Sequence, residues 1–184
     1  SLLNDIVVMT KGRAVDKGLD FMLDIDEALP DLLHGDEIRI KQIITNLMTN
    51  AIKYTKTGWV QLSVKRTNYS EYLDEDKILL DVMVSDSGVG IREEEKSKLF
   101  TEFERLDRKK NKSIEGTGLG LSITSRLVAL MKGTISVESQ YQRGSTFRVT
   151  IPQKVVSDMS IGDYKKRFEA LSNENRDEAP LENL

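Results

Sequence analysis

Residues 36–55 read Asp36-Glu-Ile-Arg-Ile40-Lys-Gln-Ile-Ile-Thr45-Asn-Leu-Met-Thr-Asn50-Ala-Ile-Lys-Tyr-Thr55, and this stretch decides the fold. Ile40, Ile43, Ile44, Leu47, Met48 and Ala51 recur at helical spacing, so one face of a long helix is apolar and must be covered. Asp36 has the short acceptor side chain that caps a helix start. On the polar side, Asn46, Asn50 and Lys53 follow an i, i+4, i+7 spacing and share one face. Two amides and an ammonium so placed suit a metal ion and phosphate oxygens. A solvated helix face would carry the same pattern, so this stretch alone leaves both readings open.

Working outward, residues 1–17 have helical spacing at Leu2, Leu3, Ile6, Met9 and Arg13, with Gly18 as the stop. Leu19, Phe21, Leu23 and Ile25 alternate with polar residues as in a strand, and Pro30 to Gly35 read as a loop. Past Gly58 the period is two again: Val60, Leu62 and Val64 mark one strand, Ile78, Leu80, Val82 and Val84 the next. The polar stretch Asn68 to Lys77 joins them as a hairpin connection. A short helix starts near Arg92, where Glu93, Glu94 and Glu95 precede Lys96 and Lys98 in the order a helix dipole favours. Residues 104–118 are charged and glycine-bearing and read as a mobile loop. A helix to Lys132 follows, with Ile123, Leu127, Leu130 and Met131 on one face. Strands are expected at 134–139 and 145–151, then a polar tail from Val155 with a short helix over 164–171. The sum predicts an α+β two-layer sandwich, helices on one face of a mixed, mostly antiparallel sheet.

Composition narrows the function. Hydrophobic residues make up 39% and charged residues 31%, enough apolar material for a core. A formal net charge of −3 gives no basic field for nucleic acid. The chain has no cysteine, which excludes disulfides and thiol chemistry, and a single histidine excludes a histidine-rich metal site. No apolar run is long enough to span a bilayer and no signal peptide is visible, as expected of a cytoplasmic domain without direct membrane contact.

Further motifs carry chemistry. Asp86-Ser87-Gly88-Val89-Gly90-Ile91 directly follows a strand; glycines let backbone approach a flat ligand, and a buried aspartate accepts from an exocyclic amine. A strand-ending turn would read the same way. Gly116-Thr117-Gly118-Leu119-Gly120-Leu121 opens a helix, where free backbone N–H groups bind anions. Its alternate glycines match neither the dinucleotide fingerprint nor the P-loop; a flexible linker would be the plainer reading, but the amphipathic helix that follows argues against it. In Leu99-Phe100-Thr101-Glu102-Phe103-Glu104-Arg105 the phenylalanines are placed to anchor the hinge of the loop that follows.

Order and spacing together resemble the GHKL ATPase superfamily, and within it the histidine kinase catalytic domain. Residues 42–55 are similar to its N box, 86–91 to its first glycine box, 100–105 to its F box, 116–121 to its second glycine box and 144–147 to its closing glycine motif. The likeness spans about residues 1–152. It implies a Bergerat sandwich in which ATP lies between the helical layer and a lid. It also implies that Asn46, Asn50, Lys53 and Tyr54 serve the phosphates, Mg²⁺ or ribose, with Asn50 the metal ligand and Asn50 and Lys53 the catalytic pair. Asp86 would take the adenine amine, Gly88 and Gly90 would let the base approach, and Ile91 and Thr146 would be among the nucleotide-binding residues. Gly116, Thr117, Gly118, Leu119, Gly120 and Leu121 would cradle the triphosphate, near Phe103 and Arg105. The lid cations Arg108, Lys109, Lys110 and Lys112 read more simply as a solvated run. Glu102 replaces a customary F-box proline, and Lys132 stands where a glycine is common.

The ATPases of the superfamily use a glutamate one turn before the metal asparagine. Here that place holds Asn46, and an amide cannot serve as a general base. Lys53 also follows the kinase pattern. The resemblance therefore implies transfer of the γ-phosphate to a histidine on a separate dimerisation domain, with a receiver domain as onward partner. Two rivals are an anti-sigma type serine kinase and a binding module that senses nucleotide without transfer. His34 lies outside any acceptor motif and reads as an exposed loop histidine. The catalytic domain is expected over 1–154, with 155–184 as a linker to a receiver domain. Glu182-Asn183-Leu184 coincides with the start of a tag-cleavage site.

Overall fold

The computed structural model describes residues 1–67, 76–96, 99, 118–157 and 159–177. The elements are α1 (Leu2–Asp16), β1 (Asp20–Ile25), β2 (Leu33–His34), α2 (Glu37–Tyr54), β3 (Trp59–Thr67), β4 (Lys77–Asp86), α3 (Gly118–Leu130), β5 (Thr134–Gln140), β6 (Gly144–Val155) and α4 (Tyr164–Asp177), with a helical turn at 93–96. The strands form one sheet in the order β1-β3-β4-β6-β2. β6 pairs with β4 along one edge and shares its other edge between β5 and β2. Among the described strands only β1 and β3 run parallel, joined by a crossover that contains α2. This is the two-layer sandwich expected.

Strand alternation sorts the sheet into two unlike faces. Val60, Leu62 and Val64 of β3, Ile78, Leu80, Val82 and Val84 of β4, and Val149 and Ile151 of β6 are buried. They form one core with the α2 stripe Ile40, Ile43, Ile44, Leu47, Met48 and Ala51. The opposite face is polar. There Lys65 meets Asp24 at 2.9 Å, and the Arg148 guanidinium grips Asp81 with two bonds, Nε to Oδ1 at 2.9 Å and Nη2 to Oδ2. The Lys65 hydrogen bond holds the Asp24 carboxyl below its ordinary range.

In two helices the buried face is turned from the one their apolar residues suggest: Leu2, Leu3, Leu127 and Met131 pack at the core's margin rather than at its centre. In α1 the buried residues are Ile6, Val7, Thr10 and Ala14. In α3 Leu121, Ser122, Thr124 and Val128 are buried, while Ile123 is 41% and Leu130 65% exposed. Hydroxyls explain both cases. Thr10 Oγ1 donates to Ile6 O at 2.7 Å, and Thr124 Oγ1 accepts from Asn46 Nδ2 at 3.4 Å. A satisfied threonine can be buried at little cost, so the inward face includes polar residues that an apolar count skips.

Both helices end in the same hydrogen-bond pattern. After α1, Gly18 N donates to Val15 O at 2.8 Å and Leu19 N to Ala14 O at 2.9 Å; after α3, Lys132 N donates to Ala129 O at 3.0 Å and Gly133 N to Val128 O at 2.9 Å. These are Schellman closures, which need a left-handed residue. Gly18 fills that place at φ +76°, but Lys132 fills it at φ +57°. A side chain in this region costs roughly 1 kcal/mol. Lys132→Gly is therefore expected to raise stability by about 1 kcal/mol in thermal denaturation; a lowered midpoint would show that the lysine is not strained.

Beyond β6 the chain stays attached to the body. Asp31 N donates to Met159 O at 2.8 Å and Ile161 N to Leu29 O at 2.6 Å. α4 then lays Tyr164 and Phe168 into the core, with Lys11 Nζ 5.4 Å from the centre of the Phe168 ring. Burial pushes the Tyr164 phenol up to about 12. β2, within the stretch expected to be a loop, is only two residues long and pairs with the end of β6.

Candidate functional site

Three segments converge at one end of the sandwich: the last turn of α2, the end of β4 with the loop after it, and the β5–β6 turn, while α3 reaches α2 through Thr124 and Asn46. Asp86 closes β4 on the helix-facing side and is 7% exposed. Burial pushes its carboxyl above the ordinary carboxylate range, opposed by backbone N–H groups of Gly88 and Ser145. The Gly88 bond is 2.8 Å long and ends on Oδ1. A buried, strongly accepting carboxyl at a strand end is suited to a ligand that brings its own N–H donors.

The glycines of this loop serve the protein's own backbone. A Cβ on Gly88 would lie 2.5 Å from Tyr54 O, so only glycine lets the loop close against the end of α2. Val89 N completes that contact, donating to Tyr54 O at 3.2 Å. Gly90 has φ +66°, and a Cβ there would lie 2.1 Å from Gln140 O. The loop is strapped to the β5–β6 turn by Gln142 N to Val89 O at 2.6 Å, Ile91 N to Ser139 Oγ at 2.8 Å and Arg92 Nη2 to Tyr141 OH at 2.9 Å. The Arg92 guanidinium lies 4.3 Å from the centre of the Tyr141 ring, stacking as well as hydrogen bonding.

On α2, Asn46 is turned to α3 by its bond to Thr124, which is fully buried. Asn50 and Tyr54 are half-buried and Lys53 is exposed, its Nζ 5.4 Å from the centre of the Tyr54 ring. Gly118, Leu119 and Gly120 form the first turn of α3, and Leu121 is buried in the core. Phe103, Arg105, Gly116 and Thr117, with the predicted mobile loop and its cations, lie outside the described residues.

Thr146 is not brought to this cluster. Its hydroxyl pairs with Ser85 Oγ at 2.9 Å on the polar face of the sheet. Its neighbour Ser145, which the sequence reading passed over, is the register partner of Asp86 and is 8% exposed. Ser145 Oγ lies 2.9 Å from Ser139 Oγ, which ties it to the same strap. The signal was present in the alternation: Val149 and Ile151 point inward, so Ser145 shares their side and Thr146 does not. Two surface clefts, of about 330 and 360 Å³, lie elsewhere: one beneath α4, the other lined by Pro30, Arg66, Asp76 and Val155.

A helical layer over one sheet face, with a buried carboxyl at a strand end and a helix opened by glycines beside it, makes an α/β two-layer sandwich with a polar cluster at one end. Residues 35–155 match the family described as histidine kinase-, DNA gyrase B-, and HSP90-like ATPases, and the chain belongs to that family. It is 42% identical over 147 residues to the signal transduction histidine-protein kinase BarA of Escherichia coli, covering 80% of this chain and 16% of that protein. To hybrid signal transduction histidine kinase B of Dictyostelium discoideum it is 40% identical over 149 residues, covering 81% of this chain and 7% of that protein. The chain thus spans a small part of these relatives. Among solved structures, full-length ShkA in complex with AMPPNP superposes with a TM-score of 0.64 at 29% identity, covering 85% of this chain and 30% of ShkA. The nucleotide-free catalytic domain of histidine kinase ThkA superposes at 0.57 and 27% identity, covering 82% and 89% respectively. Among the described residues no helix is long and apolar enough to cross a membrane.

Proposed function

We propose that this chain is the ATP-binding catalytic domain of a sensor histidine kinase, passing the γ-phosphate of Mg-ATP to a histidine on a separate dimerisation domain. One observation carries the choice of transfer over hydrolysis. The position that would hold a general base on α2 is Asn46, whose amide N–H donates to Thr124 Oγ1. With no base there to activate water, the acceptor brings its own nucleophile, and the domain contributes positioning and charge neutralisation. The similarity to sensor kinases supports the same choice.

In this reading Asp86 selects adenine through its amine. Asn50 contributes an oxygen ligand to Mg²⁺, and Lys53 meets phosphate charge. The donor set fits a magnesium ion. Among the described residues no trio of acidic or histidine side chains could hold a metal alone, so the ion would keep phosphate and water oxygens, as Mg²⁺ prefers. When bound, it would supply charge neutralisation for the phosphates. The partners would be the acceptor-bearing helices of the parent kinase and, beyond the tail, a receiver domain, all in the cytoplasm.

The test is incubation with γ-labelled ATP, Mg²⁺ and a supplied acceptor domain. An acid-labile phosphohistidine should form on the acceptor and not on this chain. Asn50→Ala should slow transfer by about 100-fold, because a misplaced γ-phosphate loses in-line geometry, while nucleotide affinity changes little. Normal transfer by Asn50→Ala would remove the metal assignment. Nucleotide binding without transfer to any acceptor would leave a sensing module instead.

A further inference from the structure

The end of α2 is the hinge of the site, since it carries Asn50, Lys53 and Tyr54 and receives the Asp86 loop. A helix leaves its last four carbonyls without helical partners, and each must be satisfied from outside. Here every one has a donor. Thr55 Oγ1 donates to Ala51 O at 2.7 Å, Lys17 Nζ to Ile52 O at 2.6 Å and to Lys53 O at 3.0 Å, and Val89 N to Tyr54 O at 3.2 Å. No left-handed residue closes this helix, because Thr55 leaves it in extended conformation at φ −104° and ψ 113°. The lysine ammonium takes the place of that closure, and a cation at a helix C-terminus also complements the dipole.

Lys17 reaches α2 because of how α1 ends. It is the C-cap residue of α1, just before the left-handed turn at Gly18. One turn earlier, Arg13 Nη1 lies 3.4 Å from Thr49 Oγ1, so α1 grips the same stretch of α2 twice. Two consecutive carbonyls are therefore held from α1, and the next one, on Tyr54, holds the loop of Asp86 and Gly88.

We propose that Lys17 is a positioning residue for the nucleotide site. It touches no ligand. It fixes the last turn of α2 so that the Tyr54 carbonyl is aimed at Val89 and the Asp86 loop stays seated. The inference rests on the reading of that loop as the adenine site.

Lys17→Met keeps the length of the stem and removes the ammonium; Lys17→Arg keeps a donor. In the full chain, amide exchange at Val89 should be about tenfold faster in Lys17→Met than in wild type, with buried β4 amides unchanged. Affinity for ADP by calorimetry should fall about fivefold, the scale of a lost hydrogen bond. Lys17→Arg should recover both. Unchanged exchange at Val89 in Lys17→Met would overturn the proposal. So would equal losses in the two variants, which would mean that bulk at this place matters and donation does not. If wild type binds no adenine nucleotide, the reading of the site fails, while the Val89 comparison still decides whether Lys17 holds the loop.

Discussion

Gly144→Ala should cost the domain at least about 3 kcal/mol, enough to lower its thermal midpoint by roughly 6–12 °C. Gly144 opens β6 at φ +106°, a region that side chains rarely enter. A Cβ there would lie 1.9 Å from Asp86 O and 2.8 Å from its carbonyl carbon. Both neighbours are backbone of a strand locked between two others, so neither can swing aside as a flexible side chain would. Relief would require β4 and β6 to part just where Asp86 pairs with Ser145. Nucleotide binding should suffer along with stability. Circular dichroism melts of the two proteins make the comparison, and a midpoint within a degree or two of wild type would mean that the strands tolerate the separation.

Asp86→Ala should act chiefly on binding. With the carboxylate gone, the adenine amine would enter a buried place without an acceptor, a loss of about 1–3 kcal/mol or roughly 5- to 150-fold in affinity. Discrimination against GTP should narrow, since the guanine carbonyl would no longer face a carboxylate. Titration calorimetry measures both effects, and undiminished ATP affinity would remove Asp86 from the site. Burial raises the Asp86 pKa in the folded state above its ordinary value of 3.8. Ionisation there opposes folding, and that penalty is complete above the folded pKa and vanishes below 3.8. Relative to Asp86→Ala, wild type should therefore lose stability as pH rises from 3.8 through the folded pKa. Parallel pH–stability curves for the two proteins would contradict this account.

The fold was legible wherever a single periodicity ran long enough. The α2 stripe from Ile40 to Ala51 and the alternations from Val60 and from Ile78 lie where their spacing put them. The reading failed where polar groups are paired inside. Thr10 and Thr124 face inward because each hydroxyl has a partner, and no count of apolar residues foresees a hydrogen bond to another element. β2 was missed because two residues carry no period. At the site, Asp86 and the glycine loop stood out locally, but the contacts of Gly88 and Gly90 depend on segments distant in sequence, Tyr54 and Gln140. Motif position points to Thr146, whereas strand parity puts Ser145 on the same side of the sheet as Asp86. Lys17 had no signal, since its contact with Ile52 and Lys53 exists only once α1 lies along α2.

The place of β6 in the sheet has a consequence for how the protein is made. Among the described strands it is the last in sequence, yet it alone joins β4, β5 and β2. During synthesis β4 is complete well before β6 leaves the ribosome. At about 5–20 residues per second that interval is on the order of 3–14 s. Throughout it the apolar β4 has a bare edge that can recruit strands from other nascent chains. A chain stalled between Asp86 and Gly144 is thus the form most in need of a chaperone, and overproduction that crowds such chains together should drive the protein into inclusion bodies before any weakness of the finished fold would.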